Sequence, residues 1–167
     1  MLKILLLASL TLSSLLFAEY TNSNGKALEK PFKDLVRWVR SDVEPKLAQI
    51  DISSDWQTIN LNESDNYIIW IGHSTFLIKK EGITILTDPV FSDRASPFKS
   101  IGPERLIPPA MSIDQLPKID FVTVSHNHYD HLDINSLKEI SKLHPEAIFF
   151  VPIGDLKLLK RKRIKNA

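Results

Sequence analysis

An α/β fold built on a partly parallel sheet is what this chain predicts from Tyr67 onward, and three observations carry that expectation. Short runs rich in β-formers recur at Tyr67–Gly72, Ser74–Lys79 and Ile83–Thr87, with Glu81-Gly82 as a turn between the last two. Two further apolar runs, Phe121–Ser125 and Ala147–Val151, alternate with helical patterns over Ile134–Leu143 and Asp155–Ile164, the order of a parallel β-α-β unit. The composition permits one such domain: 167 residues, 43% of them hydrophobic, is ordinary for a globular chain.

The N-terminus reads differently. Lys3 precedes an apolar stretch from Ile4 to Ala18, followed by the mostly polar Glu19–Lys26. This is the pattern of a secretory signal peptide over residues 1–18, with an apolar core short for a membrane span. An exported, periplasmic or extracellular protein is the expectation; an uncleaved membrane anchor or a buried N-terminal helix is the alternative. Residues 19–66 form a lead-in. Pro31 suits a helix start, where its missing N–H has no intrahelical partner to lose. Phe32, Leu35, Val36 and Val39 then repeat at helical spacing to about Arg40. Lys33, Arg37 and Arg40 read as a solvated face, with peripheral membrane contact as the weaker alternative. Residues 41–66 look irregular.

From 89 to 118 there are six prolines, and Gly102 adds a break, so this stretch is expected to be a long ordered loop. Asp133 is placed to cap the helix that follows it. The cations Lys157, Lys160, Arg161, Lys162, Arg163 and Lys165 crowd the C-terminal segment, but the formal charge is only +1. They read as a solvated helix face whose charges suit a helix C-terminus, and no nucleic-acid partner is expected. There is no cysteine, so any metal must be held by histidine, carboxylate and water.

The densest chemistry lies in His126-Asn127-His128-Tyr129-Asp130-His131. Four of these six residues are potential metal ligands, and three of the chain's five histidines are among them. Imidazole and carboxylate suit zinc and similar first-row metals. In an extended chain, alternation places residues 126, 128 and 130 on one side and 131 on the other, so one segment could serve two adjacent metal positions. Asp88, before Pro89, can be read as a turn-forming Asp-Pro pair. His73 interrupts an apolar stretch and reads as a buried structural histidine or a site residue. His144 lies at a predicted helix end, where terminal stabilisation accounts for it.

The pattern resembles the His-x-His-x-Asp-His signature of the metallo-β-lactamase superfamily. Trp70-Ile71-Gly72-His73-Ser74-Thr75, the stretch Leu86 to Pro97, Ile101-Gly102-Pro103 and Ile107-Pro108-Pro109 look like the N-acyl-phosphatidylethanolamine-hydrolysing phospholipase D branch. The resemblance covers Tyr67 to the C-terminus. It implies the αββα metallo-β-lactamase-type fold, of which residues 67–167 would be a partial domain, the N-terminal half only. It implies two zinc ions, His126 and His128 binding the first, Asp130 and His131 the second. Asp130 would also orient the attacking water, and Asp88 and His73 would support the ligands from outside. Zinc held in this way activates water and polarises the group attacked. The implied substrate is an N-acyl-phosphatidylethanolamine-like phospholipid or another phosphodiester.

In complete members of the resembled family, a third histidine for the first metal, a bridging aspartate and a further histidine come from the later half. After His131 this sequence has only His144, Asp133 and Asp155. Each pair of visible ligands is therefore expected to be one short, and this chain to be weak or inactive alone. A complementing C-terminal half is the implied partner. The alternatives are a non-catalytic metal- or partner-binding fragment, and half of a split lactone or ester hydrolase.

Export has a direct check. The mature protein is expected to begin near Glu19, read by intact mass on protein recovered outside the cytoplasm; soluble protein retaining Met1 would count against it.

Overall fold

Every second residue of the central strands points into one core, and the register shows it. Ile69, Leu77, Leu86, Val122 and Phe149 face one another in a row across five strands, and all five are buried. The strands are β1 (Tyr67–Gly72), β2 (Thr75–Lys80), β3 (Ile83–Thr87), β4 (Phe121–Thr123) and β5 (Ile148–Phe150), in spatial order β1-β2-β3-β4-β5. The pairs β1/β2 and β2/β3 are antiparallel, while β3/β4 and β4/β5 are parallel. Two tight turns suffice for the first three strands; parallel pairing needs longer crossovers, here the 88–120 loop and the helix α1 (Ile134–Leu143). A second helix, α2 (Leu156–Arg161), follows β5.

This computed structural model describes residues 33, 34, 36, 37, 53–64, 66–98, 100–164 and 167. The chain divides into units 1–48 and 49–167. In the first, Lys33, Asp34, Val36 and Arg37 are helical, within the helix expected from Pro31 to Arg40. The expected signal peptide, residues 1–18, lies outside the described residues, as do Arg40 and most of the expected lead-in. Among the described residues, no helix is long and apolar enough to cross a membrane.

The second unit follows the expected α/β plan closely. β1, β3 and α1 have the expected bounds; β2, β4, β5 and α2 differ at their ends by one to three residues. Val124 N–H still donates to the Phe150 carbonyl at 2.9 Å, and the chain turns toward the histidine segment after it. The core under the sheet combines Leu137 and Ile140 of α1, Leu159 of α2, and Met111, Ile113 and Ile119 of the loop. Asp133 caps α1 as expected, its Oδ1 accepting from the N–H groups of Asn135 and Ser136.

The 88–118 loop is ordered, by devices that propensity does not reveal. Arg94 donates from Nη1 to the Gly102 carbonyl and pairs through Nη2 with Glu104 at 2.9 Å. The half-buried Arg105 donates to the carbonyls of Val90, Ser92 and Ile107. A Cβ on Gly102, whose φ is +113°, would lie 2.6 Å from Ser96 Cβ, so the hairpin between Arg94 and Glu104 closes only with glycine there. The loop is sewn to α1 by Ser92 N–H donating to Asp133 Oδ2 and Phe91 N–H donating to Ser136 Oγ.

The opposite face of the sheet is also apolar. Ile68, Ile78, Ile85, Phe121 and Ile148 form one cross-strand row, and Trp70, Phe76, Thr87, Thr123 and Phe150 form the next. Ile68 is 71% exposed and Phe150 55%.

Asp120 stitches the start of β4 to β3, accepting the Thr84 N–H at 2.9 Å. That hydrogen bond, aided by Lys118 and opposed by burial, holds its carboxyl below the usual value of 3.8. A depressed folded-state pKa gives stability that is present above the unfolded value and lost as pH falls through the folded one. As pH falls through the acid range the parent protein should therefore lose more stability than Asp120→Asn does. Paired denaturant melts at neutral and acid pH measure this.

Candidate metal centre

Four histidines and two aspartates gather beyond the C-terminal ends of β3 and β4, and chain geometry explains the gathering. Leaving β4, the backbone does not stay extended. The N–H groups of His131 and Leu132 both donate to the His128 carbonyl, at 3.0 and 2.7 Å, closing a turn over residues 128–131. The alternation expected for an extended chain is thereby overturned: instead of pointing away, the His131 ring folds back until its centroid is 4.0 Å from that of His126. His126 and His128 stand edge to face at 4.7 Å.

Asp88 anchors the group from beneath. It follows β3 with φ +35°, a conformation non-glycine residues seldom adopt. Its carboxylate collects three donors: Ser125 N–H on Oδ1 at 2.6 Å, and Ser125 Oγ at 2.8 Å and His131 Nδ1 at 2.9 Å on Oδ2. Burial alone would raise its pKa, but the hydrogen bonds from His131 and Ser125 prevail and hold it below the ordinary carboxylate value. The ionised Asp88 fixes the His131 proton on Nδ1 and leaves Nε2 as a lone-pair donor, the arrangement that supports a metal-binding imidazole. Ser125 Oγ gives its proton to Asp88 and so accepts from His126 Nδ1 at 2.9 Å, which frees His126 Nε2 in the same way. Burial, together with the neighbouring His131 and His128, lowers the His126 pKa, and a neutral ring is the one that can ligate.

Of the two readings of His73, the structure overturns the buried one. His73 is not a buried histidine inside a strand: it occupies the β1–β2 turn, is exposed, and has φ +50°. Its Nε2 lies 3.4 Å from Asp130 Oδ2, while His131 Nε2 lies 3.7 Å from the same oxygen. Ligand atoms of His73, Asp130 and His131 all fall within 4.8 Å of one another. Two donors each about 2.0–2.2 Å from a tetrahedral ion stand roughly 3.4 Å apart, a spacing that the two separations to Asp130 Oδ2 approach. The donor set of imidazole and carboxylate fits zinc chemistry equally.

His144 lies elsewhere, as the C-cap of α1. Its Nε2 is buried without a hydrogen-bond partner, and burial lowers its pKa. It therefore ends the helix as a packed neutral ring, not through a positive charge at the helix terminus. A shallow depression of about 450 Å³ flanks the anchor, lined by Asp88, Ser125, Thr87, Thr123 and Phe150 among others.

Comparison with known proteins shows what the chain is similar to. The family described as "Beta-lactamase superfamily domain" matches residues 67–166. N-acyl-phosphatidylethanolamine-hydrolyzing phospholipase D 1 of Caenorhabditis elegans is 46% identical over 103 residues, 62% of this chain and 29% of the relative. The mitochondrial N-acyl-phosphatidylethanolamine-hydrolyzing phospholipase D of Saccharomyces cerevisiae is 44% identical over 88 residues, 53% of this chain and 18% of the relative. This chain thus spans less than a third of the length of either. A solved metallo hydrolase from the archaeon Ignicoccus hospitalis aligns at TM-score 0.39 and 24% identity, covering 58% of this chain and 36% of its own.

Asp88→Ala tests the anchor. It strands the Ser125 N–H and frees the His131 ring, so stability should fall by about 1–3 kcal/mol. Affinity for a divalent metal should fall roughly 10- to 100-fold. Denaturant melts and calorimetric metal titration read the two effects separately.

Proposed function

This chain belongs to the beta-lactamase superfamily, and from that premise we propose that it provides the metal-binding part of a zinc-dependent phosphodiesterase acting on an N-acyl-phosphatidylethanolamine-like phospholipid. The observation that carries the reading is the convergence of His131 Nε2 and Asp130 Oδ2, with His126 and His128 beside them, on a common edge above Asp88. The names of the relatives in the worm and in yeast supply the substrate class.

In this reading His126 and His128 hold one ion, and Asp130 and His131 hold a second. Bound there, the ions supply Lewis acidity and lower the pKa of water. The chain's own contribution is orientation. Asp88 and Ser125 set both imidazoles in the tautomer that presents Nε2. Asp130, with Oδ2 turned toward His73 and His131, offers Oδ1 as acceptor for the attacking water. Water oxygen then bonds to phosphorus as the bond to the leaving alcohol breaks, giving a phosphomonoester and an alcohol. The exposed rows through Ile78 and Phe76 call for a covering layer, and the later β-α half of the family fold is the proposed complementing partner. Export, with the substrate met at a membrane surface, belongs to the same proposal.

A phosphodiester assay with added zinc tests this. Turnover by this chain should be weak, should vanish in His126→Ala and His128→Ala, and should rise when a polypeptide carrying the later family half is added. No phosphodiester turnover even with that half present would overturn the reading, as would full activity in His126→Ala.

A further inference from the structure

We propose that the outer surface of α2, with the turn before it, docks onto an anionic phospholipid membrane. The inference rests on the reading above, in which the substrate is a phospholipid. Three observations carry it.

Charge is the first. From Leu156 to Ile164 the chain has five cations, Lys157, Lys160, Arg161, Lys162 and Arg163, and no acidic residue. All five are exposed, and among the described residues no ion pair neutralises them. A helix end accounts for Lys160 and Arg161, which lie in the last turn of α2. It does not account for Lys157 in the first turn, where a cation meets the positive end of the helix dipole.

Backbone strain is the second. α2 closes in a Schellman motif: Ile164 N–H donates to the Leu159 carbonyl at 3.1 Å, and Arg163 N–H to the Lys160 carbonyl at 3.0 Å. The motif needs one left-handed residue, ordinarily glycine. Here that residue is Arg163, with φ +66°. Leu159 and Ile164 are fully buried and hold the motif shut, so the cap makes no use of the exposed Arg163 side chain. A strained residue whose side chain adds nothing to the cap points to a use for its charge.

The third is the apolar tip beside these cations. Ile153, in the turn between β5 and α2, is 89% exposed, and Leu156 is exposed as well. Isoleucine at the edge of a basic helix suits the headgroup layer of a bilayer. The apolar side chain enters the acyl boundary, and the cations on their flexible stems stay among the phosphates. A nucleic-acid surface would use the charge but has no use for the isoleucine. The location also suits a lipid substrate. Pro152, next to Ile153, lines the depression beside Asp88 and Ser125, and Asp155 accepts from Asn127 Nδ2 at 3.4 Å. A membrane seated on α2 would therefore bring headgroups to the edge of the histidine segment. A phosphatidylethanolamine acylated on nitrogen has lost its ammonium charge, so its headgroup is itself an anion.

Vesicle co-sedimentation of the full chain tests this, comparing phosphatidylcholine vesicles with mixed phosphatidylcholine–phosphatidylglycerol vesicles. Thermal melts accompany every variant. The parent should bind the mixed vesicles, and added salt should weaken binding. Each cation near such a surface is worth about fivefold, so combined Lys157→Ala, Lys160→Ala and Arg161→Ala should cost on the order of 100-fold. Arg163→Gly should bind about fivefold more weakly while melting at the same or a higher temperature, a combination that misfolding cannot produce. Ile153→Asn should weaken binding, whereas Lys80→Ala, on a strand that β3 and β4 separate from β5, should not. Equal binding to phosphatidylcholine alone, or unchanged affinity in the triple variant, overturns the inference. So does duplex DNA bound as tightly as the mixed vesicles and unaffected by Ile153→Asn, which assigns the patch to nucleic acid. Turnover of a detergent-dispersed phosphodiester, with zinc and the later family half added, is read in parallel. Turnover without vesicle binding overturns the docking surface alone; vesicle binding without turnover overturns the hydrolase reading alone.

Discussion

The carboxylate of Asp88 is the constraint on which the remainder of the site depends. It stands where β3 gives way to the long loop, and every donor it collects comes from the far side of the parallel β3/β4 pair. A single charged group thus specifies the exit path of β4, through the Ser125 N–H, and the tautomer of His131. Through Ser125 Oγ it also reaches His126. A neutral amide could accept on one atom only, and its NH2 would face the Ser125 N–H or the His131 Nδ1–H. The depressed pKa of Asp88 is the electrostatic expression of the same fact: the donors stabilise its charge by more than burial destabilises it.

Rigidity around the anchor comes from the loop after it. Thr75 Oγ1 donates to the Asp88 carbonyl at 2.8 Å and accepts the Val90 N–H at 3.2 Å, both in the buried interior. Arg105 gathers carbonyls on either side of that point, and Asp133 with Ser136 fastens the next turn to α1. Asp133 therefore has two duties: it caps the helix that follows the histidine segment and grips the loop that follows Asp88. The two halves of the site are held to one another by neutral and charged hydrogen bonds to backbone, which position groups more tightly than apolar contact does.

Much of this was legible in the residues. β1, β3 and α1 could be bounded because Gly72, Pro89 and Asp133 are local punctuation whose effect does not depend on tertiary context. The cluster 126–131 announced itself by ligand density. Two things were hidden. The turn closed by the His128 carbonyl depends on how the segment meets α1, so reading it as extended misjudged the relation of His126 to His131. The place of His73 depends on a register irregularity in β1/β2, which no single-residue propensity encodes. Gly72-His73-Ser74 contained a signal, since glycine beside a polar pair favours a turn, and the strand runs were bounded on either side of it; the approach of His73 to Asp130 left no such trace. The carbonyl-binding roles of Arg94 and Arg105 were equally hidden, because long-range side-chain to backbone bonds leave no periodic trace.

The sheet carries one further consequence for the site. Strands in which both alternating sets are apolar are suited to burial on both faces. The Leu77 and Leu86 row is covered by α1, α2 and the loop, while among the described residues no element packs over the Ile78 and Phe76 rows, whose ends Ile68 and Phe150 are exposed. Apolar surface of this extent favours a covering layer. The second exposed row begins at Trp70, the residue whose indole fixes the His73 carbonyl. A layer packed on that row would restrict Trp70, and through it the turn that carries His73. Coverage of the sheet and the order of the turn that carries His73 are in this way mechanically linked, along a path of two residues.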